Sequence, residues 1–252
     1  MSKLEGKVAI VTGSSRGIGA DTAKLLAAEG AAVVVNYRDK APRANKVVKA
    51  IEEAGGRAVA VKADLTVAED REALVKATVD NFGHLDILVL NASGGMETDR
   101  GEDYAMRLNR DAQVGMLDAA FPAIRPGGRV VFVTSNQAHF IETHPTLPAY
   151  EMVAKSKRAG ETALREREHE FAKADITFVV VSGDMIEGTI TATLLDRVEP
   201  GAIEARREEA GRLYSVAEFA QEVARMAMDD VEHMHTEYVG GAKGFLDEGF
   251  TL

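Results

Sequence analysis

Thr12-Gly13-Ser14-Ser15-Arg16-Gly17-Ile18-Gly19 directly follows the apolar run Val8-Ala9-Ile10-Val11. Glycines let a backbone approach a diphosphate closely. A helix that starts there adds unsatisfied N–H groups and the positive end of its dipole. Gly13, Ser15, Arg16, Gly17, Ile18 and Gly19 are therefore the expected dinucleotide cradle. The second apolar run ends Asn36-Tyr37-Arg38-Asp39. An acid at that point would bond ribose hydroxyls, whereas a cation suits an added phosphate. Arg38 and Arg16 can converge on one phosphate and favour NADP(H). Asp39 dissents, because it can pair with Arg38 or reach a ribose hydroxyl. Farther along, one loop carries His139, Glu142 and His144. An imidazole titrates near pH 6.5 and can act as a proton donor there. His233-x-His235 has the spacing of a metal pair but no third ligand, so no metal site is expected.

These residues need a frame, and the apolar pattern supplies one. Val8–Val11, Ala32-Val33-Val34-Val35, Ala58-Val59-Ala60-Val61 and Leu85–Leu90 read as strands. Gly128–Thr134 and Ile176–Val181 read the same way. Continuous apolar runs of this length suit strands covered on both faces. Between them lie helical patterns: Ile18 to Gly30, Ala44 to Ala54, Ala68 to Asn81, Met106 to Ile124 and Lys157 to Ala172. Strand–helix alternation with short connections predicts right-handed crossovers and a doubly wound parallel sheet. The expected fold class is α/β, a Rossmann-type three-layer α/β/α arrangement. Residues 1–252 read as a single domain, since no repeat or Pro-rich linker interrupts them. The stretch 187–215 is helical in pattern but polar, and reads as a flap over the site. Ligands of such sheets sit beyond the carboxyl ends of the strands.

The chain has 252 residues, 46% of them hydrophobic, enough for one sizeable core. Its charge of 30 − 40 = −10 argues against general binding to nucleic acid or anionic lipid, while leaving room for a local phosphate pocket. Without cysteine there are no disulfides and no thiolate chemistry. No apolar run approaches the roughly 20 residues of a membrane span. The opening Met1–Lys7 carries no apolar signal segment, and a cytoplasmic protein is expected.

The chain resembles the short-chain dehydrogenase/reductase family over essentially its whole length. The resemblance rests on Thr12-Gly13-x-x-x-Gly17-x-Gly19, Asp64-Leu65 and Asn91-Ala92-Ser93-Gly94. Asn109, Ser135 and the Ser156-Lys157 segment add to it. It implies a nicotinamide-dependent oxidoreductase acting on a small carbonyl or alcohol substrate, assembled as a homodimer or homotetramer. It implies that Asp64 and Leu65 contact the adenine and that Asn91, Ala92 and Ser93 line the cofactor. Tyr37 stands where NAD-preferring members carry Asp, which again favours NADP(H). Leu90 replaces a customary Asn, and Ser182 a customary Pro. Gly183, Ile186 and Thr189 are the implied nicotinamide contacts.

For catalysis the resemblance implies Ser135 on the substrate oxygen, a Tyr as proton donor, a Lys to tune it, and Asn109 to hold a water relay. A free tyrosine titrates near 10 and needs a nearby cation to work near neutrality. The family spaces its Tyr and Lys four apart, one helical turn. Here Ala154 is four after Tyr150. Lys155 lies five after it, about 140° around an ideal helix, and Lys157 seven after it, about 10.5 Å along the axis. Three arrangements stay open. Tyr150 can sit in an irregular turn before the helix and share the site with Lys157. A bulged helix can make Lys155 the partner. Or Tyr150 is structural, leaving a donor from the 139–144 loop or a protein that binds NADP(H) without turnover.

Overall fold

The computed structural model describes residues 2–96, 101 and 103–246. The apolar runs form β1 (Val8–Val11), β2 (Ala32–Tyr37), β3 (Arg57–Lys62), β4 (Leu85–Leu90), β5 (Ile124–Ser135) and β6 (Ile176–Gly183). Ile186–Glu187 (β7) and Tyr214–Ser215 (β8) pair as a small separate ladder, and β9 spans Thr236–Val239. Among the described residues the central sheet has the order β3-β2-β1-β4-β5-β6-β9. Every neighbouring pair in it is parallel. The strand order reverses between β1 and β4, which opens a crevice at their carboxyl ends.

The helices are α1 (Gly17–Ala28), α2 (Ala41–Glu53), α3 (Ala68–Phe82), α4 (Tyr104–Met106), α5 (Ala112–Ala120), α6 (Asn136–His139), α7 (Glu151–Arg165), α8 (Glu168–Lys173), α9 (Ile190–Val198), α10 (Ala202–Ala210), α11 (Val216–Met228) and α12 (Lys243–Leu246). Alternate strand residues feed two separate cores, because successive side chains point to opposite faces. Val33 and Val35 pack with Leu26 of α1, Ile51 of α2 and Phe219 of α11. Val34 and Leu88 pack with Leu74 of α3, Leu117 of α5 and Phe171 of α8. This is the expected three-layer α/β/α fold. None of the described helices is long and apolar enough to cross a membrane.

Three boundaries differ from the sequence pattern. The helix expected from Met106 to Ile124 contains a π-helical turn at Arg107–Asp111 and ends before β5, which begins at Ile124 rather than Gly128. The helix expected from Lys157 begins at Glu151, so Pro148–Tyr150 forms a 3₁₀ turn leading into it. It also breaks after Arg165, where Arg167 pairs with Asp118 and Glu170. Stretch 187–215 holds α9 and α10, and α10 buries no residue.

The π turn has a steric partner. A Cβ added to Gly160 of α7 would lie 2.2 Å from the Asn109 carbonyl oxygen. Gly160→Ala must therefore push α7 off the turn, and overpacking of this kind costs roughly 1–3 kcal/mol. Thermal unfolding should show a lower midpoint for Gly160→Ala, whereas Gly127→Ala, with open space around it but a φ of +74°, should show only the cost of backbone strain.

Candidate active site

One cleft of about 680 Å³ lies across the carboxyl ends of the strands. That volume suits a bound cofactor or drug-sized ligand. At one end the turn after β1 forms its floor. Gly13 and Gly17 have φ values of +62° and +59°, in the left-handed region that favours glycine. At Gly19 an added Cβ would come within 2.5 Å of Asn91 Nδ2. Arg16 stands at the N-cap of α1 in an extended conformation, and its side chain does not cap the first-turn N–H groups. A diphosphate fits this cradle on the chemistry of its donors. Ser15, Arg16 and Ile18 complete it.

Tyr37, Arg38 and Asp39 border the adjoining wall, together with Lys40 and Arg43. Arg38 is already engaged. Its Nε donates to Asp39 at 2.7 Å, and its Nη1 donates to the Tyr104 hydroxyl. Burial opposes its charge, but the Asp39 bond and the neighbouring Tyr104 and Asp64 outweigh that, and its pKa stands above the ordinary arginine value. Asp64 and Leu65 face the same space. Asp64 also closes its own turn, accepting from Thr66 N and Oγ1 at 3.0 and 2.7 Å. Asn91, Ala92 and Ser93 continue the wall beyond β4.

Ser135, Tyr150 and Lys157 all line the cleft. Ser135 Oγ lies 3.0 Å from the Tyr150 hydroxyl, and either oxygen can donate. Ser135 also caps α6, accepting from Ala138 N at 3.3 Å, which leaves its proton for another acceptor. Tyr150 sits in the 3₁₀ turn, off the helix that carries Lys157. Lys155 points elsewhere: it pairs with Glu151 at 2.6 Å, and 61% of its side chain is exposed. Gly183, Ile186 and Thr189 line the far part. Thr189 caps α9, accepting from Ala192 N and donating to Ile186 O.

Some expected participants lie outside the cleft. Asn109 is buried behind its wall. Its Oδ1 accepts from Ser93 Oγ and Gly94 N, and its Nδ2 donates to Gly94 O and Ser156 Oγ. With every side-chain bond committed, Asn109 ties the loop after β4 to α7. His139, Glu142 and His144 are not among the lining residues. His139 is held between Glu161 at 2.9 Å and the Tyr238 hydroxyl at 2.9 Å. Glu142 pairs with Arg158, and His144 packs on Phe140 and Phe245. His233 Nδ1 accepts from Phe178 N, His235 meets Glu237, and the described residues hold no metal-binding cluster.

The model of the short chain dehydrogenase family matches residues 7–199. The chain belongs to the short-chain dehydrogenase/reductase family. It is 37% identical to an uncharacterized oxidoreductase of Methylorubrum extorquens, over 97% of this chain and 99% of that one. It is 36% identical to a hydroxynaphthalene reductase of Aspergillus fumigatus, over 79% of this chain and 73% of that one. A Burkholderia cenocepacia short chain dehydrogenase in complex with NADP superposes with a TM-score of 0.80 at 28% identity, covering 94% and 97% of the two chains. A 7α-hydroxysteroid dehydrogenase complexed with NADH gives 0.82 at 26% identity, covering 94% of each.

The departures from the family pattern have local reasons. Leu90 is buried in the core beneath the cleft. Ser182, in place of the customary Pro, donates to Asn136 Oδ1, and Asn136 Nδ2 donates to Gly240 O, so three segments are stitched together. Sequence reasoning missed Lys40, Arg43, Tyr104, Gln137, Met185 and Leu195, all of which line the cleft. The cationic run Arg38, Lys40, Arg43 was a usable signal for two of them. The others come from segments far apart in the chain.

Glu161 is fully buried, and its environment sets a pH limit. Burial raises its pKa, but His139 and Arg165 lower it further, and the net shift is downward. A depressed carboxylate stabilises the fold above its unfolded value of about 4.3, and that gain fades as pH falls through the folded value. Glu161→Gln leaves His139 and Arg165 without the charge and should cost roughly 3–5 kcal/mol at pH 7. Unfolding midpoints of the two proteins should converge as pH falls below about 4.

Proposed function

We propose that this protein reduces a ketone with NADPH. The observation that carries the reading is the 3.0 Å contact between Ser135 and Tyr150, in the same cleft as Lys157 and the cradle at Gly13 to Gly19. Bound NADPH supplies the hydride. The chain's residues do the rest. Ser135 Oγ donates to the substrate oxygen and fixes its position. Tyr150 gives its phenolic proton to that oxygen as negative charge develops there. The Lys157 ammonium favours the phenolate left behind and bonds the nicotinamide ribose. Asn109 acts one layer back as a positioning residue, keeping α7 and the loop after β4 in register. Residues 187–215 act as a flap that screens the cleft from water. The reductase names of relatives agree with this direction of reaction.

The preference for NADPH rests on Arg16, Arg43 and Lys40, with Arg38 held ready by Asp39 and Tyr104. A relative complexed with NADP supports it, while one complexed with NADH is the counterexample that a direct measurement must answer.

Tyr150→Phe should keep NADPH affinity and lose between about 10² and 10⁴ of kcat on a ketone panel. Full activity in that variant would remove Tyr150 from the reaction, and NADPH binding without turnover in the wild type would make the protein a binding module. Arg16→Ala combined with Arg43→Ala should weaken NADPH at least tenfold in calorimetric titration and leave NADH unchanged. Equal weakening of both would overturn the assignment of the phosphate site.

A further inference from the structure

Resting on the reductase reading, we propose that the substrate is a neutral, largely apolar cyclic ketone carrying a second oxygen acceptor, and that Gln137 selects it. The far wall of the cleft is apolar. Met185, Ile190, Ala192 and Leu195 line it. Met185, Ala192 and Leu195 also belong, with Tyr150, Val153 and Leu213, to a buried cluster separate from the two cores of the sheet. Close packing behind these side chains fixes their positions. Such a wall accepts rings and alkyl groups and gives nothing to a polar chain.

Charge is segregated along the cleft. Arg16, Arg38, Lys40 and Arg43 line only its nucleotide end. At the other end the lining charges among the described residues are Lys157, assigned above to Tyr150, and Asp184. Asp184 is 1% exposed, and its Oδ1 accepts from Arg206 Nε at 2.8 Å. A Cβ on Gly241 would come within 2.0 Å of Asp184 Oδ2, so this carboxylate faces the turn after β9. Arg206 also pairs with Glu209 at 2.6 Å, so this group of charges offers no net positive charge to a ligand. Among the described residues no uncommitted cation would offset the desolvation of a substrate carboxylate or phosphate here, which is heavily unfavourable.

Several polar groups of this end are spent, and Thr134 Oγ1 and Asp184 Oδ2, which have no partner among the described residues, are buried out of reach. Thr189 uses its hydroxyl to cap α9. Ser135 and Tyr150 serve the reacting oxygen. Gln137 differs. Its Oε1 accepts from the Thr146 hydroxyl, and no group among the described residues accepts from its Nε2. It lies in the turn that Ser135 caps through Ala138 N, so its amide stands at a set offset from the reacting oxygen. Its N–H groups can only donate. A second substrate oxygen satisfies them, and a plain hydrocarbon leaves them desolvated and unpaired.

The test is binding to the NADP⁺-saturated protein by calorimetry, with 1-decalone, decalin-1,4-dione, decalin-1,5-dione and 4-oxocyclohexanecarboxylate as probes. At least one dione should bind roughly five- to tenfold more tightly than 1-decalone, and the keto acid should bind most weakly. Gln137→Leu should erase the advantage of the dione, and 1-decalone, no longer desolvating an unpaired amide, should bind at least as tightly as before. Gln137→Glu keeps an acceptor for Thr146 and should make the dione the weaker ligand. A dione advantage that is absent, or that survives Gln137→Leu, overturns the proposal, as does tighter binding of the keto acid. NADP⁺ binding with turnover of other ketones, but no decalone bound, overturns this proposal alone. The expected binding pattern without any turnover overturns the reductase reading and leaves the recognition by Gln137 standing.

Discussion

The carboxyl ends of β1, β2 and β4 are held together by a buried set of short polar side chains, and the whole site depends on it. Thr12 Oγ1 donates to Val89 O and accepts from Asn91 N and Ala92 N. Ser14 Oγ donates to Val11 O and accepts from Asn36 N, while Asn36 Oδ1 accepts from Gly13 N. Asn91 Nδ2 closes the set by donating to Thr12 O. The strand order reverses here, so the ladder can no longer satisfy these backbone groups. Unsatisfied, each would be a costly buried polar group. Satisfied, they hold the glycine turn against the neighbouring strand and keep the start of α1 pointed into the cleft. Gly13 and Gly19 lack side chains because Ala92 and Asn91 already occupy that space.

A second junction fixes the other half of the cleft. Asn109 spends its whole amide on the loop after β4 and on Ser156, and its carbonyl presses on Gly160. The π turn at Arg107–Asp111 shifts the register of the helix, which places this residue against α7. The helix carrying Lys157 is thereby positioned from behind. Tyr150 needs no place on that helix. It reaches Ser135 from the preceding turn, which replaces a fixed helical spacing by a loop geometry. A third junction, Ser182–Asn136–Gly240, joins β6, α6 and the turn after β9. The Ser182 hydroxyl has a buried partner there, which a proline would not supply.

The same logic separates groups that do chemistry from groups that hold shape. His139, an attractive proton donor in isolation, is enclosed by Glu161 and Tyr238. Burial and the charge of Glu161 raise the Tyr238 pKa, so that phenol stays neutral beside the imidazole. Asp184 is one half of a buried ion pair that joins α10 to the end of β6. In both cases burial and pairing turn a titratable group into a structural one.

The sequence alone determined the parallel sheet, its layers and the glycine turn between β1 and α1. Those follow from local properties: the length of apolar runs, the amphipathic spacing between them and the backbone freedom of glycine. The residues the sequence marked as expected cofactor contacts all line one cleft. Tertiary structure decided which lysine shares that cleft with Tyr150, that Asn109 supports the wall and does not line it, and that the loop histidines face away. It also added Tyr104, Gln137 and Met185 to the lining. Those outcomes depend on distances between side chains tens of residues apart, and on which charges find partners once water is excluded. No periodicity or motif along the chain carries that information.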